Sequence, residues 1–97
     1  MSIFRNVVLN FKSKNYVEEY LESYQKLVPT QKGIGLEDFF ICRLSDTSSL
    51  FFCTIDTEEN GKKIIEFADN WRQENKFEIT DSMILDGKLE GYYNLRS

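Results

Sequence analysis

The sequence predicts an α+β fold in which an antiparallel sheet carries two helices on one face and turns its other face to a second copy of the chain. Three observations lead there. The elements read in the order β-α-β-β-α-β. The stretch from Leu36 to Asp56, LEDFFICRLSDTSSLFFCTID, reads as two strands joined by a polar turn. Both faces of that hairpin are apolar. Side chains alternate along a strand, so Phe39 and Ile41 oppose Phe40, Cys42 and Leu44, while Leu50 and Phe52 oppose Phe51, Cys53 and Ile55. Two helices can cover one face, and the other face then calls for a partner.

The elements follow from local signals. Phe4 to Lys12, FRNVVLNFK, is rich in β-branched and aromatic residues and reads as the first strand. Val7, Leu9 and Phe11 make one apolar face, whereas the other mixes Phe4 and Val8 with Asn6 and Asn10. Asn15 and Glu18 have the spacing of a helix cap with a reciprocating acid. Val17, Tyr20, Leu21, Tyr24, Leu27 and Val28 then recur at helical intervals up to Pro29. TQKGIG, Thr30 to Gly35, is a loop; its glycines follow a helix and open a strand, the reverse of a phosphate cradle. Ser45 to Ser49 is the turn of the hairpin. Asp56 and Thr57 are cap candidates for a second helix, with Ile64, Phe67, Ala68 and Trp71 on one face and an end near Asn75. Phe77 to Leu85 reads as a strand. Asp86-Gly87 is a two-residue hairpin signal, and Lys88 to Tyr93 reads as an extra C-terminal strand beyond the six-element order. No linker, repeat or low-complexity tract divides the chain, so residues 1–97 are expected to form a single domain.

Composition narrows the function classes. Twelve basic against sixteen acidic residues give a formal charge of −4, the wrong sign for a polyanion, so no nucleic-acid partner is expected. No apolar run reaches the roughly 18 to 20 residues that span a bilayer. MSIFRNVVLNFKSK lacks the order of a secretory signal. The reading is a cytoplasmic protein without a membrane partner. Cys42 and Cys53, one on each strand of the hairpin, read as reduced core residues, and two thiols alone make a poor zinc site. The chain has no histidine. That removes the usual general base near neutral pH, the imidazole metal ligand and the Ser-His and Cys-His nucleophile pairs. No metal site and no cofactor are expected, and no catalytic residue is assigned.

The candidate ligand-binding residues are Asn10, Tyr20, Tyr24, Phe67 and Trp71. The four aromatics have the spacing either to line a cleft for a flat aromatic molecule or to form ordinary core. Asn6 and Asn10 are placed either to bind a ligand or to sit at a wet seam between two copies. Asp56, Glu58 and Glu59 are read as the acidic start of a helix rather than a cation site.

A β-α-β-β-α-β chain folds most readily as a ferredoxin-like plait. LFFCTI lacks the basic residue and glycine that an RNA-recognition motif carries on its third strand. The chain more closely resembles the dimeric α/β-barrel superfamily and, within it, antibiotic-biosynthesis-monooxygenase-like domains. The likeness extends to about Phe77 and rests on Leu27-Val28-Pro29 at the end of the first helix, Gly35 just before LEDFFICRL, a polar turn with Asp46, and LFFCTIDTEE running into the second helix. It implies a homodimer whose sheets pair face to face into a closed barrel. It further implies cofactor-independent oxidation of an aromatic small molecule, or a non-catalytic metabolite-binding or protein-interaction module of the same fold. Many such domains carry a histidine near the second helix and the haem-degrading ones use an Asn, Trp and His set, so Asn6, Asn10 and Trp71 without a histidine carry no iron role here.

Overall fold

The computed structural model describes residues 2–96. The β-branched opening segment forms β1 (Ile3–Phe11), whose residues 5, 7, 9 and 11 are all buried. Helix α1 (Lys14–Tyr24) begins two residues earlier than the Asn15 cap predicts, with Ser13 in the extended cap position. A single 3-10 turn (Gln25–Leu27) then leads into the short helix α2 (Val28–Lys32). The helical path therefore does not stop at Pro29. Proline stands in the first turn of α2, where its missing N–H would have no helical partner.

Gly35 takes a φ of 118°, and a Cβ there would lie 2.4 Å from Asp56 Oδ1. Only glycine lets the chain turn so close to the neighbouring strand. Strands β2 (Leu36–Ser45) and β3 (Ser48–Ile55) form the expected hairpin. Thr57 caps α3 (Glu58–Asn75), its hydroxyl accepting from the Asn60 N–H at 3.1 Å. Strand β4 (Ile79–Lys88) completes an antiparallel sheet of order β2-β3-β1-β4.

The structure corrects the sequence at this last strand. Asp86-Gly87 is not a hairpin turn: β4 runs straight through it, with Asp86 opposite Arg5 and Gly87 opposite Phe4. Asp86 is occupied by Arg5, whose guanidinium donates to both carboxylate oxygens at 2.7 and 2.9 Å. With its aspartate held across the ladder, the dipeptide stays extended. Residues 89–96 form no strand.

Alternation sorts the sheet into two faces. The inner face carries Val7, Leu9, Phe11, Phe51, Cys53 and Ile55, buried against Val17, Tyr20 and Tyr24 of α1 and Ile64 and Ala68 of α3. The outer face carries Phe40, Cys42 and Leu44, then Leu50 and Phe52, then Phe4, Asn6 and Val8, then Met83 and Leu85, in register across four strands. Phe52 stacks on Phe40 at 4.9 Å and lies 5.9 Å from Phe4. No helix covers this face, and Phe40 and Leu85 stay 54% and 57% exposed. The two free cysteines fall on opposite faces; Cys53 is core, but Cys42 is exposed, contrary to its expected burial.

Candidate functional site

The aromatic residues of α1 and α3 meet over the inner face. Tyr20 lies 5.0 Å from Phe11, 5.3 Å from Tyr24, 5.8 Å from Trp71 and edge-on to Phe77 at 5.5 Å. Tyr24 stacks on Phe51 and Phe39. Tyr20 and Tyr24 are fully buried, whereas Trp71 and Phe77 are half-buried and 5.1 Å apart. Three of the five candidate residues, Tyr20, Tyr24 and Trp71, are thus in mutual contact. Phe67 is half-buried on α3 with no ring contact to this group. Asn10 points the other way, to the outer face, where it accepts a hydrogen bond from Ser48.

Beside this cluster, between α3 and the β1/β4 half of the sheet, lies a cavity of about 290 Å³. Val7, Leu9, Phe77, Ile79 and Ile84 give it an apolar lining, and Asp69, Arg72, Gln73, Lys76 and Ser82 supply polar groups. The cavity exists because β4 extends the sheet past the helix layer. Val7 stands opposite Ile84, yet Val7 is buried and Ile84 remains 40% exposed.

Arg72 joins the cavity to the aromatic cluster. Its guanidinium donates to Tyr20 Oη at 3.3 Å and to Asp69 Oδ1 at 2.7 Å. Burial works against the charge of Arg72, but the Tyr20 and Asp69 partners more than offset it and its pKa is raised. Burial also pushes the Tyr20 hydroxyl up, against the smaller opposing effect of Arg72, so Tyr20 is a neutral phenol at physiological pH. Tyr24 is raised by burial as well, and its oxygen accepts from Gln31 Nε2 at 2.8 Å. Neither tyrosine is a ready base.

A second polar junction is structural in character. Arg5, buried under α3, donates to Gly61 O at 2.8 Å besides holding Asp86. It ties the first strand to the last and to the first turns of α3. The acidic run is spent on the helix start: Asp56 Oδ1 accepts from Asn60 Nδ2, and Glu58 and Glu59 are exposed in the first turn. Among the described residues no group of three His, Cys, Asp or Glu side chains gathers around a point that would hold a metal ion. Among the described residues no helix is long and apolar enough to cross a membrane.

Sequence reading missed Arg72, Asp69 and Lys76. Part of the signal was in the spacing: Asp69 and Arg72 stand three residues apart on one face of α3, and Lys76 follows at its end. What the spacing did not disclose is that this face overhangs β1 and β4.

No protein-family model matches the chain, and no curated protein matches it in sequence. Solved structures do match it. A dimeric ferredoxin-like protein from an uncultured marine organism aligns over 96% of this chain and 91% of its own, with a TM-score of 0.71 and 17% identity. The chain has the ferredoxin-like fold. A Nitrosomonas europaea protein of unknown function shares it with a TM-score of 0.76 at 13% identity, covering 96% and 93% of the two chains. A monooxygenase from the gene ActVA-Orf6 of Streptomyces coelicolor, solved in complex with the ligand nanaomycin D, shares it with a TM-score of 0.68 at 12% identity, covering 96% and 91%. The ferredoxin-like fold with an antiparallel sheet, predicted from the order of elements, is therefore common to this chain and to monooxygenase-like proteins.

Proposed function

We propose that the protein is a cytoplasmic homodimer, closed face to face through its outer sheets into an α/β barrel, in which each protomer binds an aromatic small molecule in the cavity between α3 and the β1/β4 half of the sheet. The observation that carries the reading is the cavity itself, with its apolar lining, the Phe77 ring in its wall backed by Trp71 at 5.1 Å, and polar groups contributed by α3. Ligand pockets run from roughly 300 to 1,000 Å³, so a cavity of about 290 Å³ fits one or two fused rings. The exposed apolar outer face supports the dimer, because a second copy offers a surface of the same chemistry and register.

The monooxygenase-like activity proposed for this site needs neither metal nor flavin. An electron-rich phenol can itself reduce oxygen: 1-naphthol plus O₂ gives 1,4-naphthoquinone plus water, one oxygen atom entering the product and the other leaving with two substrate hydrogens. The protein's part is to hold the ring away from water and fix its orientation. A second reading, a non-catalytic metabolite-binding module or protein-interaction module of the same fold, is favoured by the lack of a base at the cavity. Asp69 is tied to Arg72, Tyr20 is held neutral, and histidine is absent.

Native mass spectrometry of the purified protein with and without 1-naphthol, followed by oxygen uptake in its presence, tests both. A dimer that gains the mass of naphthol supports the site. Oxygen uptake above the uncatalysed rate that is lost in Trp71→Phe selects the enzyme, and binding without uptake selects the binding module. A monomer overturns the barrel, and a dimer that binds no naphthol overturns the aromatic site.

A further inference from the structure

We infer that the molecule bound in this cavity is an aromatic acid, its carboxylate held between Arg72 and Lys76. The inference rests on the aromatic site proposed above and adds the charge of its ligand.

The charged side chains lining the cavity are Asp69, Arg72 and Lys76. Asp69 is neutralised by Arg72 at 2.7 Å, which leaves a net positive charge at the cavity of a protein whose overall charge is −4. Arg72 donates to Asp69 and Tyr20, using two of its five N–H groups. The remaining donors belong to a side chain only 11% exposed, where a charge-assisted hydrogen bond is strengthened by the scarcity of water. Lys76 makes no ion pair among the described residues. Gln73 and Ser82 add neutral donors to the same lining.

The backbone at Lys76 gives an independent reason. Lys76 ends α3 in the left-handed region, φ 54° and ψ 38°, the only non-glycine residue with positive φ among the described residues. Glycine is the residue this cap position favours, since any Cβ is strained there. A lysine anywhere in the last turn would satisfy the helix dipole equally well. At this slot, the end of α3 brings an ammonium to the cavity one helical turn beyond Arg72. Local strain retained next to a cavity is the pattern expected where a side chain is kept for binding rather than for stability.

Isothermal titration of the full-length protein with 1-naphthoate and with neutral 1-naphthamide, in wild type and in Lys76→Gly, tests the inference. Naphthoate is expected to bind at least about tenfold more tightly than naphthamide and to weaken as salt is raised. Lys76→Gly is expected to reduce naphthoate affinity about three- to tenfold, reduce naphthamide affinity by a clearly smaller factor and raise the melting temperature. That split separates binding from folding, because a merely structural lysine would move stability alone. Should naphthamide bind as tightly as naphthoate, or Lys76→Gly leave naphthoate affinity intact, the acid preference is overturned while the aromatic site stands. If neither compound binds, the aromatic site itself falls, and the acid preference with it.

Discussion

The two faces of the sheet are built from alternate residues of the same strands, yet they end in opposite conditions. Val7, Leu9 and Phe51 on the inner face are 2–5% exposed beneath two helices. Phe40, Leu85 and Met83 on the outer face are more than half exposed. The strands commit equal apolar material to both sides, and the helices complete only one. An uncovered aromatic and aliphatic surface spread over four strands is unfavourable in water, and a second copy is the cover proposed for it.

That comparison can be broken most forcefully from the outside. Replacing Phe40 and Leu85 together by aspartate puts uncompensated carboxylates into the proposed seam, at a cost of several kcal/mol. The dimer dissociation constant should rise about a thousandfold or more, with the protomer still folded, as read by sedimentation and circular dichroism. A double variant that remains dimeric at low micromolar concentration would show that the outer face is not the seam. On the inner face, Tyr24→Ala removes a buried ring that stacks on Phe39 and Phe51, and denaturant unfolding should show a loss of about 3–5 kcal/mol.

The inner face should also show itself through pH. Burial raises the Cys53 thiol from 9.0 to about 11. The folded state therefore keeps this proton longer than the unfolded chain does. Stability should be unaffected below pH 9 and fall as pH rises through 11, by about 2–3 kcal/mol from this group. Tyr20 and Tyr24, also raised by burial, add a fall of the same sign above pH 10. Urea unfolding at pH 8 to 11 should show a shallower decline in Cys53→Ala than in wild type. The smallest effect is expected for Tyr24→Phe, which leaves Gln31 Nε2 without its acceptor and should cost about 1–2 kcal/mol.

The sequence made most of the architecture legible because each decisive signal was local. The Thr57 cap, the β2–β3 hairpin and the alternation of Val7, Leu9 and Phe11 depend on near neighbours and appear where expected. The failures have one cause in common. Asp86-Gly87 carries a strong turn signal, but a buried arginine eighty-one residues away claims the aspartate and keeps the chain extended. Cys42 and Cys53 look alike as letters, and only the placing of both helices on one side decides which is buried. The cavity itself was not legible: none of the five candidate residues lines it. Trp71, Tyr20 and Tyr24 stood out by size and form the cluster beside it, whereas Arg72 and Lys76 were ordinary helix charges until β4 was laid beneath them.

The strand order also governs when the molecule can come into being. β1 precedes the other described strands and sits inside the sheet, flanked by β3 and by β4. During synthesis its β4-facing edge stays open until residues 79–88 have emerged. Only then does Asp86 reach Arg5, so one guanidinium on β1 checks the register of β4. Pairing across such sequence separation slows folding, and the interval leaves a row of unpaired backbone N–H and C=O groups open to neighbouring nascent chains. A chain cut short before Ile79 would keep that edge unpaired, a template for strand addition by another chain.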